Sequence, residues 1–145
     1  VYGVSLNASF QISQRFSMEG VVNFTKGKFR DAINGKTPLD HVPPTYGRVA
    51  LKRQGIKWNA DLSVLFNGWK RLAEYNLNGE DNLQYATSDG MPAWYTLNLR
   101  SSFQLKKQIQ LQVALENIFN QNYRYFASGI SASGRNFSLS LRAAF

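Results

Sequence analysis

The stretch Tyr2-Gly3-Val4-Ser5-Leu6-Asn7-Ala8-Ser9-Phe10 alternates strictly in polarity. Every even position holds an apolar residue, and every odd position holds a small or polar one. This period of two is that of a β-strand, because successive side chains of a strand point to opposite faces of the sheet. The stretch therefore predicts a strand with one apolar face and one polar face.

The same alternation recurs along the chain of 145 residues and predicts seven strands in all. The apolar positions of the other six run over 16–24, 47–51, 56–66, 95–103, 109–115 and 137–145. The predicted connections alternate in length, with short turns at 13–15, 53–55 and 104–107 and long loops at 27–43, 67–92 and 120–134. Transmembrane β-barrels of the outer membrane have short periplasmic turns and long extracellular loops. The pattern thus predicts an all-β, antiparallel transmembrane barrel wall.

Aromatic residues recur at both ends of the predicted apolar faces. Five pairs are eight residues apart: Tyr2 and Phe10, Phe16 and Phe24, Trp58 and Phe66, Tyr95 and Phe103, Phe137 and Phe145. Eight residues at about 3.3 Å each, tilted by roughly 40°, rise about 20 Å along the membrane normal. That height is close to the apolar band of an outer-membrane barrel, and the spacing predicts an aromatic girdle at each interface.

The charged residues fit the same interpretation. Lys and Arg number 17 against 9 Asp and Glu, for a formal charge of +8, but none of them occupies an apolar-face position. The basic residues form no single stripe, so a nucleic-acid partner is not predicted. Cysteine is absent, and a single histidine in a Pro-rich loop, His41, is more commonly structural or exposed than a ligand. Neither a metal site, nor a cofactor, nor a catalytic site is predicted, and the carboxylates Asp61 and Glu116 are expected to face a polar lumen and hydrogen-bond a plug.

Several motifs resemble those of the TonB-dependent outer-membrane receptors. The run Leu115-Glu116-Asn117-Ile118-Phe119-Asn120 with Tyr123 resembles a motif near the end of these barrels, and Gly134-Arg135-Asn136-Phe137 resembles the closure that follows. Earlier elements of the same family are similar to 38–44 and 91–100. Continued alternation would point Asn117 toward lipid. The motif is therefore predicted to bend and turn the chain at the outer rim; alternatively, the strand ends at Leu115.

The resemblance implies the C-terminal part of a large plugged barrel in the outer membrane of a Gram-negative bacterium. A plug domain and about fifteen further strands are expected to precede Val1, given 22 strands for a transporter of this type. The implied partners are outer-membrane lipid and lipopolysaccharide, the barrel-assembly machinery, the TonB complex (through the missing N-terminal part) and a nutrient ligand. The implied activity is energised uptake, with an iron chelate (siderophore or haem) as the expected cargo.

Candidate site residues follow from the resemblance. Ligand contacts are expected from the long loops, at Trp69, Tyr75, Tyr85 and Arg124, although the aromatic side chains could equally pack between loops. The last strand is expected to carry the assembly signal, at Phe137, Leu139, Leu141 and Phe145. The alternatives are a cobalamin or oligosaccharide receptor of the same family, a passive porin or adhesin barrel, and a soluble lipid-binding barrel.

Overall fold

The computed structural model describes residues 1–32 and 35–144, and it is built almost wholly of antiparallel strands. The strands are β1 (Tyr2–Gln11), β2 (Phe16–Lys26), β3 (Lys28–Asp31), β4 (Gly35–Pro38), β5 (Tyr46–Arg53), β6 (Trp58–Asn67), β7 (Lys70–Arg71), β8 (Gly90–Met91), β9 (Trp94–Lys106), β10 (Ile109–Glu116) and β11 (Asn136–Ala143). Within these described residues, no helix is long and apolar enough to cross a membrane.

Seven strands form one sheet in chain order, β1-β2-β5-β6-β9-β10-β11. Each is antiparallel to its neighbours, so the short turns fall at one end and the long connections at the other. We call the long connections loop 1 (27–45), loop 2 (68–93) and loop 3 (117–135). The predicted seven-stranded all-β wall is confirmed.

Two predicted boundaries were wrong at the short turns. Residues 104–107 were expected to turn, but β9 continues to Lys106, because Gln104 and Lys106 still pair with Gln110 and Ile109 on β10. Ile56 was expected on the fourth strand but lies in a turn at 99% exposure. There the Asn59 side chain accepts a hydrogen bond from the Gly55 amide and delays the start of β6.

The apolar face of the sheet is left open along its length. Leu6, Leu62 and Leu139 are 64%, 40% and 62% exposed. These exposed fractions are too high for side chains in the core of a soluble protein. Where the strands pair, this face carries aromatic rings at both ends: Tyr2 lies 6.2 Å from Phe24, and Trp58 stacks on Phe103 at 5.9 Å. These rows form the predicted girdles. Phe145 lies outside the described residues, so its place in the girdle and in the assembly signal stays a prediction.

One glycine lets an outer-girdle ring lie flat on the sheet. A Cβ added to Gly47 would come within 2.6 Å of the Phe66 ring and 2.2 Å of the Val21 carbonyl oxygen. Gly47 pairs with Phe66 across β5 and β6, so the ring covers the glycine that has no side chain of its own. A large ring over a small partner keeps the apolar face continuous where β5 is otherwise weak in apolar residues.

The polar face carries charges that are already paired within the wall. Asp61 on β6 accepts two hydrogen bonds from the Arg48 guanidinium at 2.6 and 2.7 Å, and Glu19 on β2 pairs with Lys52 at 2.6 Å. Arg100 on β9 binds Glu116 on β10. Asp61 and Glu116, which were expected to hydrogen-bond a plug, therefore have charged partners on neighbouring strands of the wall.

A matched pair of substitutions on β11 tests the assignment of faces. Leu139→Arg should lower the amount of folded barrel, because an arginine on the lipid face costs about 2–4 kcal/mol near the midplane. Ser140→Arg, one residue on, should be tolerated because Ser140 is exposed on the polar face. Heat-modifiable gel mobility of the full-length receptor measures folding. Equal loss of folded receptor in both variants would contradict the assignment of a lipid face and a polar face.

Candidate functional site

The three long loops form one packed assembly at the end of the sheet opposite the short turns. Loop 1 contains the hairpin β3–β4, and loop 2 contains the short pair β7–β8 with single 3-10 turns at Leu72–Glu74 and Leu83–Tyr85. Alternation did not predict either hairpin, since each strand is only two to four residues long. The side chains that join these loops determine which groups are left to meet a ligand.

Loops 1 and 2 are joined by a latch of Asp40, His41 and Asp81. The Asp81 carboxylate is 1% exposed and accepts the His41 and Asn76 backbone amides, each at 2.9 Å. Asp40 accepts the Glu80 amide at 2.7 Å, and this hydrogen bond holds the pKa of Asp40 below its usual value. The latch therefore fixes the backbone of both loops.

A buried lysine joins all three loops. Lys70 of loop 2 is 3% exposed, and its ammonium donates to the Val42 carbonyl of loop 1 at 2.5 Å. The same ammonium lies 4.6 Å from the centroid of the Phe126 ring in loop 3 and 5.8 Å from that of Tyr75. Burial lowers the pKa of Lys70, and the nearby Asp81 carboxylate opposes that shift. A cation desolvated against aromatic faces is a strong local contact.

Loop 3 returns to the sheet through an aromatic cluster. The Trp94 ring lies 4.1 Å from the Tyr123 ring and 5.1 Å from the Tyr125 ring, and its indole nitrogen donates to the Arg124 carbonyl at 3.0 Å. Burial and the neighbouring Tyr125 raise the pKa of Tyr123 to about 12, so its hydroxyl stays neutral. Tyr123, a residue of the family-like motif, thus anchors loop 3 on the first residue of β9.

The motif residue Asn117 closes loop 3 on itself. Asn117 adopts a left-handed backbone (φ 48°) directly after β10 ends at Glu116, so the chain turns at the rim as the sequence predicted. Its amide nitrogen donates to the Asn98 side chain at 2.9 Å. Its side chain donates to the Gln121 and Ser133 carbonyls and accepts the Gln121 amide at 2.8, 3.2 and 2.8 Å. At 3% exposure, Asn117 satisfies these backbone groups in place of water.

The other motif residues complete this closure. The Asn120 side chain accepts the Arg135 amide at 2.9 Å, and the Arg135 guanidinium donates to the Ile118 carbonyl at 2.9 Å. A Cβ on Gly134 would lie 2.8 Å from the Asn120 oxygen, so a larger residue would displace the Asn120 side chain from its present position. Phe119 is 60% exposed and packs edge-on against Tyr95 of the outer girdle. The motif residues therefore hold loop 3 in its folded conformation.

The four proposed ligand contacts do not converge on one pocket. Trp69 is 39% exposed and borders a cavity of about 850 Å³ between loops 1 and 2. The Arg71 guanidinium lies 4.0 Å from the centroid of the Trp69 ring. Tyr85 and Arg124 line a separate cavity of about 240 Å³, with the guanidinium 6.0 Å from the ring. Tyr75 is 3% exposed against Phe126, inside the loop packing.

The sequence offered little sign of the residues that hold the loops together. Asp40, Lys70 and Asp81 occupy irregular segments with no period, and loop charges are ordinarily solvated. The latch also places one donor atom from each of Asp40, His41 and Asp81 within 4.8 Å of one another. Their oxygens already accept backbone amides, so within the described residues the group is accounted for as a structural latch.

Comparison with known proteins identifies the family to which the seven-stranded sheet belongs. A family model described as TonB dependent receptor-like, beta-barrel matches residues 1–118. The chain belongs to this family. Its strands therefore lie in the outer membrane of a Gram-negative bacterium.

Individual relatives are similar in sequence or in fold. Lactoferrin-binding protein A of Neisseria meningitidis serogroup B (strain ATCC BAA-335 / MC58) is 27% identical over 108 residues, which are 61% of this chain and 12% of that protein. The copper transporter OprC superposes with a TM-score of 0.77 at 16% identity, over 99% of this chain and 23% of its own. A mutant ferric enterobactin receptor, PfeA of Pseudomonas aeruginosa, gives 0.69 at 16% identity, over 99% and 22%.

The siderophore receptor PiuA of Acinetobacter baumannii gives a TM-score of 0.67 at 13% identity, over 97% of this chain and 21% of its own. The chain thus spans about an eighth of the length of the curated relative that it matches. It spans under a quarter of each of the three solved chains.

Substitution of Asn117 separates its two roles. Asn117→Gly keeps the left-handed backbone but removes the side-chain hydrogen bonds, each worth about 0.5–1.5 kcal/mol. Asn117→Ala should be worse by roughly 1–2 kcal/mol, because alanine resists a positive φ. Hydrogen exchange at the Gln121 amide of the full-length receptor measures loop 3 opening. Asn122→Ala, at an exposed position, is the control; unchanged exchange in both Asn117 variants would contradict the assigned closure.

The latch has its own test. Asp81→Asn replaces one carboxylate oxygen by an amide NH2 facing a backbone N–H, so one of the two bonds must fail. Amide exchange at His41 or Asn76 should accelerate roughly tenfold or more, because hydrogen bonds to charged groups are worth about 1.5–3 kcal/mol. Glu80→Gln, at a side chain 86% exposed beside the latch, is the matched control. Equal exchange in the two variants would show that the loops are held elsewhere.

Proposed function

We propose that the full-length protein imports an iron chelate across the outer membrane, driven by the TonB complex through its N-terminal part. The observation that carries this proposal is the family match over residues 1–118. In this proposal the chain supplies barrel wall and three extracellular loops. The wall needs no catalytic group, and the ligand is captured by loops whose backbones are already ordered.

The loop surface supports an aromatic or anionic ligand. Trp69 beside Arg71, and Tyr85 beside Arg124, each present a ring and a guanidinium together. Aromatic faces stack on planar rings, and guanidinium groups bind carboxylate or phenolate oxygens through paired hydrogen bonds. An iron chelate built on catecholates or carboxylates offers both features. Tyr75, buried under Lys70, would support these contacts from within the loop assembly rather than touch the ligand first.

The structural neighbours support iron over other cargoes. Two of the three are a ferric enterobactin receptor and a siderophore receptor. The third is a copper transporter, so uptake of a copper ion is the second candidate. A passive porin is disfavoured by the family match.

The test uses the complete receptor gene in a host that lacks its own iron-chelate receptors. We expect growth under iron limitation with a subset of ferric chelates, and loss of that growth when the host's TonB is removed. Radiolabelled uptake of iron, copper, cobalamin and oligosaccharide measured side by side identifies the cargo. TonB-dependent uptake of copper alone would establish the second candidate, and uptake that persists without TonB would overturn energised transport.

Loop variants of the same receptor locate the ligand contacts. Trp69→Ala and Arg124→Gln should each raise the concentration for half-maximal uptake, on the order of tenfold for the loss of a stacked ring or a charge-assisted bond. The amount of folded receptor should not change, because both groups lie at the loop surface. Leu77→Ala, at a loop 2 side chain that is 69% exposed, is the control. A uniform effect of all three variants would indicate a general loosening of the loops.

A further inference from the structure

The chain contains three asparagine–glycine pairs, Asn34-Gly35, Asn67-Gly68 and Asn78-Gly79. Such a pair can rearrange without an enzyme, because the glycine nitrogen can attack the side-chain carbonyl carbon of the asparagine and glycine has no side chain to obstruct the attack. Two features decide whether a pair reacts: exposure of the asparagine, and freedom of the glycine nitrogen to leave its own hydrogen bond. Asn34 lies outside the described residues, so the structure compares the other two pairs.

The pair Asn67-Gly68 is held at the end of the sheet. Asn67 is the last residue of β6, pairs with Tyr46 on β5 and is buried. The Gly68 nitrogen donates to the Thr45 carbonyl at 2.6 Å, and a Cβ added to Gly68 would lie 3.1 Å from the same oxygen. The Gly68 nitrogen can therefore attack only after the paired ends of β5 and β6 have opened, and strand pairing makes such opening rare.

The pair Asn78-Gly79 lies in a turn of loop 2. Asn78 is exposed, and a turn hydrogen bond joins the Gly79 nitrogen to the Asn76 carbonyl at 3.2 Å. This long bond closes four residues only, so it can open without any loss of strand pairing. Water also reaches the exposed Asn78 side chain. Of the two described pairs, this one has the surroundings in which the rearrangement can proceed.

The same turn forms one side of the latch between loops 1 and 2. A Cβ added to Gly79 would lie 2.6 Å from an oxygen of the Asp40 carboxylate, so this carboxylate packs directly on the glycine. The next residue, Glu80, donates its amide to Asp40 at 2.7 Å. The Asp40 bond therefore depends on the length of the main chain that leads up to Glu80.

We propose that Asn78 is a site of spontaneous deamidation and isomerisation that releases Asp40 from the latch. The Gly79 nitrogen bonds to Cγ of Asn78, and the side-chain nitrogen leaves as ammonia, taking with it the proton of the Gly79 nitrogen. Water then opens the resulting succinimide ring at either carbonyl. One product is aspartate with the original main chain, and the other is isoaspartate, whose main chain runs through Cβ and Cγ and is longer by one methylene group.

The two products should differ in their effect on the latch. Both carry a carboxylate in place of a neutral amide, beside the acidic residues Glu80 and Asp81. Only isoaspartate lengthens the main chain, directly before the glycine on which Asp40 packs. The Glu80 amide is therefore displaced from Asp40 in the isoaspartate product and stays bonded in the aspartate product. This inference concerns the loops themselves and does not depend on the ligand that is transported.

The first experiment incubates the purified full-length receptor in neutral detergent at mildly alkaline pH, because loss of the amide proton starts the reaction. Peptide mapping by mass spectrometry measures the replacement of NH2 by OH, and labelling with an isoaspartyl methyltransferase identifies isoaspartate. The peptide that contains Asn78 should react on the order of tenfold or more faster than the peptide that contains Asn67. The variant Asn78→Ser keeps Gly79 but lacks the reacting amide, and labelling of this peptide should disappear.

The second experiment measures hydrogen exchange at the Glu80 amide. Exchange in the isoaspartate-containing receptor should be on the order of tenfold faster than in fresh receptor, because a hydrogen bond to a carboxylate is lost. Fresh Asn78→Asp receptor, which has the added charge on an unchanged main chain, should exchange as the fresh parent does. Asn78→Ser receptor aged in parallel should also be unchanged, and it controls for other damage.

Several outcomes would overturn the proposal. Equal or faster modification at Asn67 would contradict the assignment of the site, as would an unreactive Asn78 in the receptor when a free peptide of the same sequence reacts. Unchanged Glu80 exchange after modification would show that the latch is not released. Faster exchange in fresh Asn78→Asp receptor would attribute the release to charge and not to main-chain length. Faster exchange in aged Asn78→Ser receptor would attribute it to damage elsewhere.

Discussion

Every backbone N–H and C=O group within the apolar band must find its partner on a neighbouring strand, because lipid offers none. This constraint explains the continuous seven-stranded ladder from β1 to β11. Once the ladder is continuous, side chains alternate between two environments. Leucines and aromatic rings are then left exposed on one face, and charged residues occupy the other. The period of two in the sequence is the direct trace of that backbone requirement.

The polar face shows a second regularity, since opposite charges on adjacent strands attract each other. Glu19, Lys52, Asp61, Arg100 and Glu116 lie on five successive strands of the sheet, and each is paired with a neighbour on the wall. These ion pairs join adjacent strands, so each charge named here finds its partner within the wall itself.

The sequence predicted the sheet well because alternation is a property of each strand alone. The seven strands, their order, the two girdles and the turn at Asn117 all follow from local patterns or from the motif. The loops could not be predicted in this way. Asp81 and Lys70 act through contacts 40 and 28 residues distant in the chain, and no period links such pairs. Turn boundaries failed for a related reason: pairing with β10 carries β9 on to Lys106, and a bond from the Gly55 amide to the Asn59 side chain takes the place of strand pairing before β6.

The loop assembly divides its residues between those that hold the backbone and those that we propose to contact a ligand. Asp81, Asn117 and Lys70 are at most 3% exposed, and each is bonded to backbone groups. A bond to a backbone group is indifferent to which side chain that residue carries. Trp69, Tyr85 and Arg124 lie nearer the surface, and the ring–cation contacts that they make leave the buried bonds unaffected. Under the proposed function, substitution at the surface can therefore change which ligand is bound while the buried polar side chains keep the loops in place.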